Sequence, residues 1–277
     1  MSKCFFCQYF NCMKRKRPCL INLQDDIYIE KGVTAKVYQD ITNPTVCKKK
    51  YNLNTDNNLI INEIYILKNI NKIKQVNSPK FIKYDKKENT LYMEYIQGTD
   101  LCNYLIVNNN NLPIKKIMKN LLFQINYLHK NEIIHLDLKL DNIIIKLSDF
   151  KTYILDWGNS LNLKKKNNIK IFKTPYYQSP ESFNKINIKA CDIWSLGVIL
   201  FILTYNTFPF SSNINEEDNK REFLKDIKKI ITSNEVNYLK PIENADVIDL
   251  MKQMLLKDHN KRITAENALK HKYFNNI

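Results

Sequence analysis

Glycine is scarce: the chain has 277 residues and four glycines, where average usage of roughly 7% would give about nineteen. No two of Gly32, Gly98, Gly158 and Gly197 fall close enough together to write a GxGxxG dinucleotide fingerprint or a GxxxxGK[ST] phosphate loop. Collagen-like chains and glycine-rich linkers are excluded with them. Long apolar runs are missing too. The longest nearly uninterrupted one, Ile193 to Leu203, is far short of the roughly 20 residues that cross a bilayer, so no transmembrane helix is expected. The seven cysteines are odd in number, crowded at Cys4, Cys7, Cys12 and Cys19 and otherwise single, which makes no disulfide framework. The N-terminus lacks an apolar core followed by a small-residue cleavage site. An intracellular, cytoplasmic, reducing setting is expected.

Acidic residues are outnumbered, 28 Asp plus Glu against 43 Lys plus Arg, for a net charge of +15. Such a balance favours phosphates, acidic substrates, nucleic acid or an anionic membrane surface. Asn, Lys and Ile are abundant throughout, as A/T-rich codons would give, so composition accounts for part of the charge and a nucleic-acid partner is not required. Residues 1–20 form a Cys/aromatic/basic tail. Short β-rich runs then surround one helical pattern carrying Ile60, Ile64, Leu67 and Ile70, and helical patterns at 112–130, 190–204, 219–233 and 244–256 dominate the rest. The expected fold is α+β and bilobal: a small β-rich lobe at about 21–93, a linker at about 94–99, and a larger helical lobe at about 100–277, with a cleft between them.

The most informative stretch, His135 to Asn142, reads HLDLKLDN. It runs into the strand Ile143–Leu147, the turn Ser148–Lys151, a second strand Thr152–Leu155 and then Asp156-Trp157-Gly158. A hairpin of that length folds Asp156 back beside Asn142. One carboxylate and one amide oxygen converge there, a hard oxygen set suited to Mg²⁺ shared with substrate phosphates. Asp137 stands where it could take the proton of an attacking hydroxyl, and Lys139 where it could neutralise charge on a phosphoryl group in transfer.

Over about residues 21–277 the chain resembles the eukaryotic-type protein kinase domain. The resemblance rests on HxDxKxxN at His135–Asn142, DxG at Asp156–Gly158, SPE at Ser179–Glu181, DIWSLGVIL at Asp192–Leu200, FPF at Phe208–Phe210 and DHNKRIT at Asp258–Thr264, in the family's order and spacing. It implies transfer of the γ-phosphoryl group of ATP to protein hydroxyls, with Asp137 and Lys139 in the chemistry and Asn142 and Asp156 on Mg²⁺. Lys139, together with Thr174 before Pro175, is similar to serine/threonine rather than tyrosine kinases. The resemblance further implies a buried Glu181–Arg262 ion pair and an Asp192 that caps the catalytic loop. The wording WSLGVILFIL, FPF and ALKHKYF stands nearest the calcium/calmodulin-dependent and AMP-activated groups.

In the small lobe the family's A-x-K pattern falls on Cys47-Lys48-Lys49, which makes Lys49 the nucleotide lysine and Glu63 its partner. Lys48 competes, but strand alternation sends it to the opposite face. Glu63 lies between Ile60 and Leu67 on the inward side of its helix, where an acid is costly unless paired. The resemblance places further nucleotide contacts at Ile29, Gly32 and Val37 in the phosphate-covering loop, at Cys47, at Met93 behind the adenine, at backbone groups of Glu94 to Ile96, and at Asp100 on the ribose. Asp100 serves equally well as cap of the helix beginning at Leu101.

The departures from the family pattern carry expectations of their own. Glu30 and Ala35 replace two of the three usual glycines, which weakens approach to phosphate. Leu136 replaces the arginine that receives an activation-loop phosphate, so activity independent of such phosphorylation in residues 159–173 is expected. Lys164, Lys165, Lys166, Lys170 and Lys173 either form a basic rim for acidic or already phosphorylated substrates or are a solvated loop. The tail is open to four readings: a flexible end, acylation of Cys4, Cys7 or Cys12 beside Lys14–Arg17 with peripheral membrane contact, a nuclear address, or a zinc knuckle. Two other functions compete. The eroded glycine loop suggests a catalytically weak, pseudokinase-like scaffold, against which stand Lys49, Glu63, Asp137, Asn142 and Asp156. Ile-Leu-Asp-Trp suggests a small-molecule phosphotransferase of the aminoglycoside or choline kinase type, against which stands the polypeptide platform of Glu181, Asp192–Gly197 and Arg262.

Overall fold

The computed structural model describes residues 26–107, 112–165, 171, 174–238 and 245–275. The tail, with its four cysteines and Lys14–Arg17, lies outside the described residues, as do Lys166, Lys170 and Lys173. Five antiparallel strands, β1 (Ile27–Lys31), β2 (Ala35–Gln39), β3 (Val46–Tyr51), β4 (Phe81–Asp85) and β5 (Thr90–Glu94), make one sheet in the order β1-β2-β3-β5-β4. Alternation along β3 buries Cys47, Lys49 and Tyr51 while Lys48 is half-buried and Lys50 exposed.

One helix, α1 (Asn57–Ile70), packs beside this sheet. Asp56 starts it, its carboxylate accepting the Asn58 N–H at 2.8 Å. The buried stripe is Leu59, Ile60, Glu63, Ile66, Leu67 and Ile70. Ile64 is only partly buried, which corrects the expected stripe. The inward direction follows Leu59, Glu63, Ile66 and Ile70, and Ile64 is turned about 100° away from Glu63.

At Gly98 the chain leaves the sheet. A Cβ there would stand 2.5 Å from Ile144 Cγ2 and 2.6 Å from the Ile145 carbonyl oxygen, so only glycine lets the linker lie against β8 (Ile143–Ile145). The next residues form β6 (Thr99–Asp100), which pairs with β8, and β8 pairs in turn with β9 (Thr152–Ile154). A second small ladder joins β7 (Ile133–Ile134) to β10 (Leu161–Asn162). The two-residue strands β6, β7 and β10 are too short to show alternation, and the sequence reading passed over them.

The larger lobe holds α2 (Leu101–Val107), α3 (Ile114–Lys130), α4 (Lys189–Tyr205), α5 (Lys220–Ser233), α6 (Ala245–Met254) and α7 (Ala265–Leu269). Every residue of α4 from Cys191 to Leu203 is buried, the signature of a helix surrounded on all sides. It packs against α3 and α6 and buries Asp192 and Trp194. No helix among the described residues is long and apolar enough to cross a membrane.

Candidate active site

Lys49 is the centre of the small-lobe side. Its Nζ lies 2.6 Å from Glu63 Oε1 and 2.7 Å from Asp156 Oδ1, and the Tyr51 hydroxyl donates to Glu63 Oε2 at 2.9 Å. Lys48 faces the other way, 2.8 Å from Asp26 and 3.0 Å from Asp40. Burial works against the charge on Lys49, but Asp156 and Glu63 outweigh it and hold the ammonium above the ordinary lysine range. The Asp156 side chain is 42% exposed to the cleft; desolvation by the surrounding chain opposes its ionisation, and Lys49 overcomes it, holding the carboxyl down at about 2. Asp156 has φ 58°, a left-handed backbone that non-glycine residues seldom adopt outside functional sites.

On the other side of the cleft, the fully buried carboxylate of Asp192 organises the loop. It accepts the N–H groups of His135 at 3.0 Å and Leu136 at 2.8 Å, and meets His129 Nε2 at 2.9 Å. Leu136 is left-handed at φ 66°. Asp137 follows, its Oδ1 accepting from the Thr174 hydroxyl at 3.0 Å. Its Oδ2 lies 3.4 Å from Asn159 Nδ2 and 4.0 Å from Lys139 Nζ.

Asn142 donates its Nδ2 to the Asp137 carbonyl at 2.8 Å, which orients the amide and reserves its oxygen for another partner. The β8–β9 register pairs Ile143 with Ile154, and the Leu155 N–H donates to the Asn142 carbonyl at 2.9 Å. Asp156 is thereby delivered next to Asn142. An ionised carboxylate and an amide oxygen fit Mg²⁺, for which two protein ligands suffice when substrate phosphates supply more. Among the described residues no group of three or more His, Cys, Asp or Glu side chains could hold a metal.

The residues expected on the nucleotide gather between β1 and the linker. Val37 is paired with Lys49 across β2–β3, and Cys47 with Met93 across β3–β5; Ile29 is half-buried on β1. Burial pushes the Cys47 thiol up to about 12. In the linker the Glu94 N–H donates to Lys80 and the Tyr95 N–H to Thr45, at 2.8 and 2.7 Å. The Ile96 N–H makes no hydrogen bond among the described residues. Asp100 accepts the Asn103 N–H at 2.7 Å and binds the Asn103 amide with its other oxygen, so it caps α2.

Gly32 turns the β1–β2 hairpin with an N–H···O bond of 2.8 Å to Ala35, and a Cβ on it would come no closer than 3.5 Å to the rest of the chain. The fold itself therefore does not demand glycine at this position. Glu30 is exposed, but desolvation by the neighbouring chain and then the negative charge of Asp141 push its carboxyl up, with Lys139 opposing, so Glu30 shares the field of the catalytic loop. Glu181 and Arg262 are paired below the cleft at 2.6 Å.

Three participants escaped the sequence reading: Tyr51, Asn159 and Asp141. Tyr51 had a signal, since alternation puts it on the same strand face as Lys49. Asp141 sits in a single 3₁₀ turn, Leu140–Asn142, and Asn159 in a turn, and neither is long enough to show a period.

A family model described as the protein kinase domain matches residues 28–274. Calcium-dependent protein kinase 5 of Plasmodium falciparum (isolate 3D7) is 32% identical over 212 residues, which are 73% of this chain and 36% of that protein. Calcium-dependent protein kinase 6 of Plasmodium berghei (strain Anka) is 32% identical over 257 residues, 90% of this chain and 16% of that protein. Serine/threonine-protein kinase 17A of Oryctolagus cuniculus is 31% identical over 196 residues, 66% of this chain and 47% of that protein. The chain thus spans less than half the length of these curated relatives. The family match runs from β1 to beyond α7 and leaves almost none of the described fold outside it; the chain belongs to the protein kinase family.

Proposed function

We propose that this chain is a serine/threonine protein kinase that transfers the γ-phosphoryl group of ATP to protein hydroxyls with Mg²⁺, without needing phosphorylation of its activation segment. The observation that carries this reading is the setting of Asp137, bonded to the Thr174 hydroxyl at 3.0 Å and 4.0 Å from the Lys139 ammonium. A proton acceptor and a cation stand together where an acceptor hydroxyl and a phosphoryl group would meet. Lys49, braced by Glu63, would hold the α- and β-phosphates. Asn142 and Asp156 would hold Mg²⁺, which supplies charge neutralisation on the phosphates. The Ile96 N–H and the Glu94 carbonyl would meet the adenine edge, with Ile29, Val37, Cys47 and Met93 around the ring, Gly32 over the phosphates and Asp100 shared with the ribose.

Independence from phosphorylation is supported by Leu136. Its side chain is buried with Ile134, Leu161 and Cys191, and Ile171 of the activation segment packs on that cluster. An apolar contact stands where a phosphate receiver is expected. Lys164 and Lys165 support an acidic or already phosphorylated acceptor peptide. The tail cysteines beside Lys14–Arg17 support peripheral membrane contact or nuclear targeting, which fractionation of Cys→Ser variants tests.

The deciding experiment is Mg·ATP phosphorylation of an array of Ser, Thr and Tyr peptides and of small alcohols by the full chain, before and after phosphatase treatment, beside Asp156→Asn. Transfer to Ser and Thr that survives phosphatase and falls about a hundredfold or more in Asp156→Asn is expected. Equal signal from both proteins means a scaffold. Transfer only to small alcohols means the small-molecule reading, and a large loss on phosphatase treatment sinks the independence. In the same array, preference for basic residues would overturn the acidic-substrate reading and trace instead to Glu30, Asp100 and Asp141.

A further inference from the structure

Glu63 works only if α1 is held at one rotation, because each residue of slip turns a helix side chain by about 100°. The apolar stripe of α1 sets its depth against the sheet. On either side of Glu63, however, Asn62 and Tyr65 reach out of the small lobe altogether. Asn62 Nδ2 donates to the Ser160 carbonyl at 2.8 Å. The Tyr65 hydroxyl accepts from Asn162 Nδ2 at 3.4 Å, and the Lys165 ammonium lies 3.8 Å from the centroid of the Tyr65 ring.

All three partners belong to the first residues of the activation segment, and that short piece is itself anchored to the catalytic loop. Ser160 Oγ donates to the His135 carbonyl at 3.2 Å, β10 pairs with β7, and the Leu163 N–H donates to Glu132 at 2.7 Å. Asn162 Oδ1 accepts the Lys164 N–H at 3.0 Å, which orients the amide toward Tyr65. Leu161 is buried in the cluster around Leu136. A continuous set of bonded groups thus runs from the flanks of Glu63 to the backbone of His135.

We propose that Asn62 and Tyr65 are positioning residues that clasp α1 to the activation segment and hold Glu63 against Lys49. The inference rests on the protein kinase reading above and supplies its unphosphorylated active state with a mechanism: ordering of the segment reaches Glu63 through neutral hydrogen bonds and a cation–π contact. A hydrogen bond and a ring–cation contact together are of a size to decide the orientation of one helix.

The test uses the full chain after phosphatase treatment. Steady-state kinetics and melting temperature are measured for the parent, Tyr65→Ala, Tyr65→Phe, Lys165→Gln and the Tyr65→Ala/Lys165→Gln pair. Tyr65→Ala, whose ring also packs on the main core, is expected to lower the melting temperature somewhat and, assayed where the variant is fully folded, to lower kcat/KM for ATP about tenfold through both kcat and KM, while the KM for peptide holds. Tyr65→Phe, which keeps the ring beneath Lys165, recovers most of the loss. The double variant is no worse than Tyr65→Ala alone, the non-additivity of one shared contact. Unchanged ATP kinetics in Tyr65→Ala, or a loss that only tracks a smaller folded fraction, overturns the clasp. If Tyr65→Ala does not fold, Lys165→Gln, altered at an exposed side chain, must raise the KM for ATP or the proposal fails. A parent chain without activity refutes the kinase reading instead, so the two failures are distinguishable.

Discussion

Arg262 closes a two-pronged ion pair on Glu181, with Nη1–Oε1 at 2.6 Å and Nη2–Oε2 at 3.0 Å. The guanidinium also donates to the carbonyls of Ala190 at 2.8 Å and Leu256 at 2.9 Å, and lies 5.0 Å from the Trp194 ring. Both charges are buried, and no other cation of the described residues is paired with Glu181. Arg262→Ala leaves a carboxylate uncompensated and is expected to cost about 3–5 kcal/mol, read from urea unfolding. Arg262→Lys recovers only part of this, because an ammonium cannot serve two carboxylate oxygens and two carbonyls at once. Equal stability of Arg262→Ala and the parent would refute this account.

Glu30 sets a second expectation. Its carboxyl is pushed up by desolvation from the neighbouring chain and by Asp141, and it lies exposed in the loop proposed to cover the phosphates. Glu30→Gly is expected to lower the KM for ATP about threefold to tenfold, the effect of removing roughly 1 kcal/mol of charge repulsion in a solvated cleft. A raised carboxyl binds its proton at a higher pH than an ordinary glutamate. As pH falls, the repulsion fades and the KM for ATP falls with it, relative to Glu30→Gln. Parallel pH profiles for the parent and Glu30→Gln would exclude Glu30 as the cause.

Acid should unfold the protein through a small group of carboxylates. Burial opposes the charge of Asp192, but the hydrogen bond from His129 and the backbone donors of the catalytic loop hold its carboxyl below the ordinary range. Arg262 does the same for Glu181 against its burial, and Lys49 holds Asp156 at about 2. Folded values below unfolded ones mean stability that is fully present above the unfolded range near about 4 and lost as pH falls through the folded values. The urea midpoint is therefore expected to drop from about pH 4 to about pH 2. Asp192→Asn, less stable at neutral pH, should show a shallower drop; an unchanged slope would assign acid sensitivity elsewhere.

Leu136 is the test of the apolar contact beneath the activation segment. Leu136→Arg buries a cation among Ile134, Leu161 and Cys191 and is expected to cost about 2 kcal/mol of stability, with lower activity of the unphosphorylated protein. Leu136→Met, similar in volume, should be close to neutral. Higher activity of unphosphorylated Leu136→Arg would show that the cluster does not order the segment.

Much of the site was legible because it is local. HLDLKLDN, the hairpin and Asp156 lie within one short stretch, and the strand turn between them leaves little choice of geometry. Glu63 was legible for a different reason, as an acid at inward helical spacing. Illegible were contacts between segments far apart in the chain. Nothing in the neighbourhood of Tyr65 announces Asn162 or Lys165, and the strands β7 and β10 exist only because they pair with each other. Asp100 shows the intermediate case: the residue type suits both a cap and a ribose contact, and only the position of Asn103 reveals the first.

The cluster that buries Leu136 also bears on how such an enzyme is turned off. A phosphate that orders an activation segment can be hydrolysed away within the lifetime of the protein. Contacts among Ile134, Leu136, Leu161, Cys191 and Ile171 have no such reverse reaction, since nothing covalent was added to make them. Under the proposed reading the assembled state of this segment begins with folding, and a phosphatase acting on the segment finds nothing in this cluster to remove.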